Sequence, residues 1–366
     1  MNHTSLHDLD SVLMAIDTAT CESYRVHVPL MIAYANQQIV ERTHVTDLLG
    51  SCPIDMIYGL HADHARLMAA QLEIKSVSTL IATIAWEYQL FVPRGVSLDF
   101  FLLDFAIWIE AINRYLDAPS AAQITAVYRQ LYDLHPHLVL RANSPQVHPV
   151  ITDDLLPYFT QYLQALLKPD MAAAIRVTGG YVTNPEQLAI WWERIIYPAM
   201  YEIGRLWANG EISVGQEHLA TAITQRVMAI YYPLILNLPR QKGSVVVSSS
   251  PGELHEIGGR ILSDLLELNG WDAYYTGANT SKEGIIELMK QTDSRFLCIS
   301  TTLADSLPAV KSLITAVRSA TIGSTPKIVV GGQAYVSDPL MWRQVGADHY
   351  AHSAHDGVLQ INASHT

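Results

Sequence analysis

A short loop in the C-terminal third of the chain combines side chains that can contact a bound ligand. His255 stands between two carboxylates, Glu253 and Glu256, and is followed by Gly258 and Gly259. The two glycines leave the first turn of the next element without side chains, so a bulky group can lie against the backbone there. The pattern predicts a ligand-binding histidine. A surface histidine in a sugar-binding or nucleotide-binding loop is the alternative that this stretch alone leaves open.

The elements around this loop predict how it is positioned. An apolar run at 245–247 precedes it and an amphipathic stretch at 260–269 follows it, which is typical of strand, loop and helix. Strands are also predicted at 273–276, 296–303 and 327–332, and helices at 282–291 and 309–320. This alternation predicts a parallel, doubly wound sheet. Three successive strand ends then bring His255, the Ser300–Thr301 pair and Gly331–Gly332 to one edge of the sheet, where such folds bind ligands.

The residues at these strand ends resemble the cobalamin-binding fold of methionine synthase, the mutases and the corrinoid proteins. That family has the pattern D-x-H-x-x-G, then S-x-L, then G-G. The matching residues here are Glu253, Leu254, His255, Glu256, Ile257, Gly258, Ser300, Thr301, Leu303, Gly331 and Gly332.

This resemblance implies a role for each part of the pattern. His255 would be the lower cobalt ligand, and Glu253 would accept the N–H of its far ring nitrogen. The nucleotide tail of the cofactor would lie beside the serine position and the glycine pair. Two positions depart from the family: Glu253 replaces an aspartate, and Thr301 occupies the serine position, with Ser300 just before it.

Composition and charge narrow the class of protein. The chain has 366 residues, enough for two or three domains, and 49% of them are apolar, enough for a sizeable core. A net charge of −12 argues against direct nucleic-acid binding, which depends on a basic surface. No apolar run reaches membrane-spanning length, the N-terminus lacks the features of a signal peptide, and the three cysteines are too scattered for a disulfide framework or a zinc site. We therefore expect a cytoplasmic protein that binds neither nucleic acid nor a membrane.

The N-terminal block, residues 1–150, is predicted to be an all-helical domain. Apolar residues recur at helical spacing in six segments, 13–19, 28–38, 61–72, 77–91, 98–116 and 121–134. His61 and His64 share a helix face in a block rich in aromatic side chains. Two interpretations remain open: a helical bundle with an aromatic core and a surface pair of histidines, or a pocket for a large flat chromophore whose polar groups bond to His61 or His64.

A stretch with several prolines, 135–152, predicts a linker to a second helical block at 151–240. Within that block, 185–206 is predicted to be one long helix. The next helix is predicted to begin near Ser213, with Gln216 completing a capping box. The cobalamin-binding domain then takes residues 241–366.

The pattern W-x9-E-H joins these two helices and is formed by Trp207, Glu217 and His218. It resembles the light-sensing cobalamin proteins of the CarH type, in which a four-helix bundle caps the upper face of adenosylcobalamin. The resemblance implies that Trp207 covers the adenosyl group while Glu217 and His218 contact it. Ala208 departs from that family, in which a histidine follows the tryptophan and captures the cobalt after illumination.

The acidic helical block, in place of a DNA-binding head, resembles the photocobilins, which add a helical module that binds a bilin such as biliverdin. The predicted architecture is therefore α plus α/β: an N-terminal helical domain, a four-helix-bundle cap and a C-terminal flavodoxin-like parallel sheet. The implied function is light sensing without catalysis, in which cleavage of the Co–C bond of adenosylcobalamin shifts the cap. A protein partner, an effector enzyme or a second copy in a homo-oligomer would receive the signal. Two alternatives remain, a corrinoid protein that carries a methyl group and a cobalamin-dependent antirepressor.

Overall fold

The computed structural model describes residues 3–42, 45–144, 149–320 and 325–365. The chain divides into two compact units, Met1–Pro145 and Gln146–Thr366. No helix in the described ranges has both the length and the hydropathy needed to cross a membrane.

The N-terminal unit is built from helices. They are α1 (His3–Ala15), α2 (Thr18–Glu41), α3 (Val45–Leu49), α4 (Ile54–Ile74), α5 (Val77–Phe91), α6 (Leu98–Tyr115), α7 (Ala118–Asp133) and α8 (His135–Ala142). Four of them begin at a polar N-cap, because the side chains of Asp17, Ser76, Ser97 and Asp117 accept hydrogen bonds from backbone N–H groups two or three residues later.

Two predicted boundaries in this unit are wrong. The helix predicted at 13–19 is split, since Asp17 caps α2 and residues 16 and 17 separate it from α1. The linker predicted from residue 135 begins instead with α8. Pro136 is tolerated in its first turn, where the missing N–H has no partner to lose. Residues 145–148 of that predicted linker lie outside the described residues.

The C-terminal unit begins with a group of packed helices, which we call the helical subdomain. It comprises α9 (Leu156–Leu167), α10 (Met171–Gly179), α11 (Pro185–Trp191), a π-helical turn (Trp192–Ile196), α12 (Tyr197–Ala208), α13 (Val214–Tyr231) and α14 (Pro233–Leu236). The helix predicted at 185–206 is one helical run that the π turn interrupts. The predicted capping box is confirmed, because Ser213 and Gln216 exchange side-chain-to-backbone hydrogen bonds.

A five-stranded parallel sheet follows, and an apolar core joins it to the helical subdomain. Its elements are β1 (Ser244–Ser249), α15 (Ile257–Leu268), β2 (Asp272–Tyr275), α16 (Lys282–Gln291), β3 (Phe296–Ser300), α17 (Leu307–Ser319), β4 (Lys327–Gly331), α18 (Met341–Gln344), β5 (His349–Ala351) and α19 (Ala354–His365). The predicted parallel sheet is confirmed, whereas β5 has no counterpart among the predicted strands.

The strand order is β2-β1-β3-β4-β5, so the chain adds β2 on one side of β1 and the later strands on the other. The order therefore reverses between β1 and β3. In such sheets the crevice at the carboxyl ends of the two strands is the usual ligand site. Ser249 pairs in register with Ser300, and Ser300 with Gly331. The ends of β1, β3 and β4 therefore meet at one edge, as the sequence predicts.

Candidate functional site

The loop that carries His255 is held against the end of β1 by its own hydrogen bonds. The Glu253 N–H donates to the Ser250 carbonyl (3.0 Å), and the Ser249 hydroxyl donates to the His255 carbonyl (2.9 Å). Gly252 makes the turn with a φ of +85°, which glycine adopts without strain. The position of the histidine is thus fixed by the fold.

Glu253 and His255 form a carboxylate–histidine pair. The Glu253 carboxylate is almost completely buried and accepts a hydrogen bond from Nδ1 of His255 through Oε1. Its Oε2 accepts the backbone N–H groups of Thr302 (2.9 Å) and Leu303 (3.1 Å). Because the Nδ1 proton points at Glu253, Nε2 keeps its lone pair, and the half-exposed ring can present that nitrogen to a metal.

The same contacts shift the pKa values of both groups toward their charged forms. Burial alone would raise the pKa of Glu253, but the hydrogen bond and charge of His255 and the two backbone N–H groups outweigh it and lower the pKa. The pKa of His255 is raised, first by the hydrogen bond to Glu253, against an opposing effect of burial, and then by the charges of Glu253, Glu217 and Asp305. Coordination of a metal by His255 therefore competes with protonation of the ring.

Three buried hydroxyl groups lie near the ends of β1, β3 and β4. Those of Ser250, Thr301 and Tyr335 have no partner in hydrogen-bonding geometry among the described residues. The Thr301 hydroxyl is still close enough to Tyr335 to offset part of the pKa rise that burial gives the phenol. Buried hydroxyls without partners are destabilising unless a ligand or water satisfies them. This group therefore offers hydrogen bonds to a polar part of a ligand.

The glycines of the pattern stand where backbones approach closely. Gly332 has a φ of +109°, and a Cβ added there would lie 2.3 Å from the carbonyl oxygen of Thr301. A Cβ on Gly331 would lie 2.8 Å from the carbonyl oxygen of Ala351, and one on Gly258 would lie 3.4 Å from the Ser300 hydroxyl oxygen. At Gly332 both the φ angle and the space exclude other residues.

The remaining residues of the pattern have different surroundings. Leu254 is 75% exposed beside His255, so an aliphatic side chain projects next to the histidine. Ile257 is buried in the core. The Glu256 carboxylate accepts a hydrogen bond from Nε2 of Gln225 on α13 at 2.9 Å. Leu303 contributes its backbone N–H to Glu253.

Glu217 of the helical subdomain acts on the site through its charge, which contributes to the raised pKa of His255. The Glu217 carboxylate also accepts hydrogen bonds from Nδ1 of His218 and from the Thr221 hydroxyl (3.1 Å). Trp207 is half-buried at the end of α12, and His218 is exposed. The contacts with an adenosyl group that the resemblance implies for these residues stay predictions.

His61 and His64 are not a surface pair, and that interpretation is wrong, because both side chains are completely buried in the N-terminal unit. His61 Nδ1 lies 2.6 Å from the Asn36 side-chain oxygen, and its Nε2 lies 3.0 Å from a carboxylate oxygen of Asp104. His64 Nδ1 lies 3.0 Å from Glu87, and its Nε2 lies 2.9 Å from the Tyr128 hydroxyl. Each histidine therefore already has protein partners in the core.

Two buried carboxylates, Glu87 and Asp104, lie beside these histidines, and the sequence does not predict their role. Burial lowers the pKa of His64, but the charge and hydrogen bond of Glu87 outweigh it and raise the pKa. Burial also raises the pKa of Glu87. The available signal is an acidic residue inside an apolar helix: Glu87 lies within 77–91 and Asp104 within 98–116. In the described residues, no group of three or more histidine, cysteine or acidic side chains is arranged to hold a metal ion.

Comparisons with known proteins agree with this geometry. Residues 243–359 match the family model described as B12 binding domain, and residues 158–232 match a second model of the same description. The chain is 26% identical over 181 residues to dimethylamine corrinoid protein 3 of Methanosarcina acetivorans. The aligned residues are 48% of this chain and 81% of that relative. It is 25% identical over 173 residues to the trimethylamine corrinoid protein of Methanosarcina barkeri, covering 45% of this chain and 76% of the relative.

A solved structure shows the same fold. The monomethylamine corrinoid protein of Methanosarcina barkeri aligns with a TM-score of 0.50 and 18% identity, covering 58% of this chain and all of that protein. The C-terminal unit thus has the fold of a corrinoid protein, and its sequence resembles B12 binding domains. Its two matched segments fall in the helical subdomain and in the sheet. These matches support cobalamin binding and give no support to a light-sensing class.

Proposed function

We propose that the C-terminal unit binds cobalamin with His255 as the lower cobalt ligand. The observation that carries this proposal is the buried Glu253 carboxylate, held by two backbone N–H groups and aimed at Nδ1 of His255. A carboxylate behind a ligating histidine fixes the ring tautomer and makes the ligating nitrogen more basic. Glu253 thus does the orienting task of the usual aspartate, and its extra methylene is accommodated by the contacts with Thr302 and Leu303.

The neighbouring residues fit the rest of the cofactor. The unpaired hydroxyls of Ser250, Thr301 and Tyr335 are donors and acceptors for the polar nucleotide tail, and Gly332 keeps side-chain atoms away from it. Exposed Leu254 suits contact with the apolar face of a corrin ring. The bound cobalamin would supply a cobalt–carbon bond that can be made and broken.

The function that we propose for this site is corrinoid carriage: the chain holds a methylated cobalamin and presents it to a partner enzyme. Support comes from the relatives, which are named as methylamine corrinoid proteins. The chain would orient the cofactor and exclude water while the partner supplies the reacting groups. On this proposal it is not itself an enzyme.

A second candidate is an adenosylcobalamin light sensor. The observation in its favour is the W-x9-E-H pattern of Trp207, Glu217 and His218, together with the effect of the Glu217 charge on the pKa of His255. A carboxylate suits the hydroxyls of an adenosyl ribose, and an indole is large enough to cover that group. A bilin such as biliverdin in the N-terminal unit belongs to this candidate. It rests on the resemblance alone, since His61 and His64 are engaged by protein side chains.

Two measurements test these proposals. Ligand-free protein is mixed in the dark with equal amounts of methylcobalamin and adenosylcobalamin, and the retained form is identified after gel filtration. Retention of the methyl form or of both supports a carrier, selective retention of the adenosyl form supports the sensor, and retention of neither refutes cobalamin binding. Because light cleaves either cobalt–carbon bond, retention in the dark separates the candidates better than bleaching does.

The role of His255 is tested by the absorption spectrum of the bound cofactor. His255→Ala should remove the spectral signature of histidine ligation. His355→Ala is the matched control, because that histidine is exposed and its hydrogen bond to Glu193 uses only the backbone N–H. Identical spectra for wild type and His255→Ala would show that the imidazole does not bind cobalt.

A further inference from the structure

A hydrogen bond connects the lower-ligand loop directly to the helical subdomain. Nε2 of Gln225 on α13 donates to Oε2 of Glu256 at 2.9 Å, in a partly buried position. Glu256 follows His255 in the chain and is the N-cap residue of α15. Its backbone carbonyl accepts the Tyr275 hydroxyl at 2.8 Å. The backbone of Glu256 is therefore anchored to the sheet, and its side chain to the helices.

The face of α13 that carries Gln225 also carries Glu217, whose charge contributes to the raised pKa of His255. Glu217, Thr221 and Gln225 follow at intervals of four residues, so they lie along one side of the helix. Glu217 and Thr221 are hydrogen-bonded to each other, and the charge of Glu217 acts on His255. Gln225 on this face makes the hydrogen bond to the loop.

Two further hydrogen bonds from the subdomain reach α15 farther along its length. The Trp192 indole N–H donates to Asp264 (2.9 Å), and the Tyr232 hydroxyl donates to Glu267 (2.9 Å). Asp264 and Glu267 follow Glu256 by eight and eleven residues, which is about 12 Å and about 16 Å along α15. These two contacts join the subdomain to later turns of α15, and Glu193 of the π turn accepts the backbone N–H of His355 on α19. Gln225–Glu256 joins α13 to the start of α15, beside His255.

We propose that Gln225 and Glu256 are a positioning pair that keeps α13 close over the His255 loop and so slows the release of the bound corrinoid. This inference rests on the proposed cobalamin site. In this inference the Glu256 side chain binds Gln225, whereas the sequence resemblance includes Glu256 among the cofactor-binding residues. Neither residue needs to touch cobalt, because the pair acts through the distance between helix and loop.

Paired substitutions test the contact. Gln225→Glu opposes two carboxylates and should speed the release of cobalamin about tenfold, the loss expected for a charged hydrogen bond. The double variant Gln225→Glu with Glu256→Gln restores a carboxylate–amide pair in the opposite sense and should return the release rate to that of wild type. Gln291→Glu is the matched control, since Gln291 donates the same kind of bond to Glu287 in an exposed position on α16.

Two readouts separate this inference from the proposed function. The absorption spectrum of the cobalamin still bound to Gln225→Glu should equal that of wild type, because His255 remains its ligand. Without cobalamin, amide hydrogen exchange in α13 and in the first turn of α15 should rise in Gln225→Glu and fall back in the double variant. Wild type that binds no cobalamin would refute the proposed function, and the exchange experiment would still decide the contact. Unchanged exchange and release in Gln225→Glu, or a double variant that fails to recover, would overturn the inference.

Discussion

Asp264 is a buried carboxylate whose ionisation should weaken the C-terminal unit near neutral pH. It lies on α15, is 5% exposed, and accepts the Trp192 indole N–H. Burial raises its pKa from 3.8 to about 7; the Trp192 hydrogen bond and the charge of Arg260 oppose this rise, and the charge of Glu267 adds to it. A folded-state pKa above that of the unfolded chain means that the folded protein binds the proton more tightly.

The magnitude follows from that difference. A pKa raised by about three corresponds to about 4 kcal/mol between the two protonation states. The protonated Asp264 carboxyl adds this free energy to the stability of the folded state. The stabilisation is fully present below about pH 4, is lost as the pH rises through the folded pKa near 7, and is absent above it. Asp264→Asn keeps an amide oxygen for Trp192 and cannot ionise. Its stability relative to wild type should therefore increase by about 3 kcal/mol between pH 5 and pH 8.

Urea denaturation of both proteins at pH 5 and pH 8 measures this change. Asp153→Asn is the matched control, because Asp153 is exposed and the same substitution should leave the pH dependence unaltered. The reasoning is refuted if the difference between Asp264→Asn and wild type is the same at the two pH values. A loss of stability that is equal at both would show that Asp264 serves only as a hydrogen-bond acceptor.

Three further variants test the candidate site. Glu253→Gln should weaken cobalamin binding about tenfold or more, since the ligating ring loses its anionic partner; titration followed by absorption checks this. Gly332→Ala should lower the free energy of unfolding by about 2 kcal/mol or more, because its φ of +109° and the Thr301 carbonyl oxygen exclude a Cβ. Urea denaturation measures the loss, and wild-type stability would contradict the close approach. Trp207→Ala should reduce any preference for adenosylcobalamin over methylcobalamin in the dark retention assay, and an unchanged preference would remove the indole from the upper face.

The sequence predicts the site better than the surrounding contacts because the site is local. His255 and Glu253 are two residues apart in one loop, and the strand ends that complete the site follow from the order of strands and helices. The Gln225–Glu256 bond joins residues 31 positions apart, and no periodic pattern encodes it. The three-residue strand β5 is too short for an alternating pattern to develop.

In the N-terminal unit, too, the sequence predicts the elements and not the side-chain contacts between them. Helical spacing locates its long helices, but it does not reveal whether a polar residue on a helix is exposed or paired in the core. His64 is buried because Glu87 and Tyr128, on two other helices, satisfy its ring nitrogens. Such pairs depend on how the helices pack, which a single sequence does not specify.

The π-helical turn at Trp192–Ile196 gives two adjacent tryptophans different neighbours. Trp191 lies against the rings of Tyr158, Tyr162 and Tyr181, whereas Trp192 reaches Asp264. A π turn accommodates one more residue than an α turn, so removing a residue here would restore a regular α turn and keep the downstream residues on their sides of the helix. A one-residue deletion in the regular segment α12 would instead rotate the residues after it by about 100° and turn Trp207 to another side. The π turn is thus the point of this helix where a one-residue change of length leaves unchanged what the subdomain presents to a ligand.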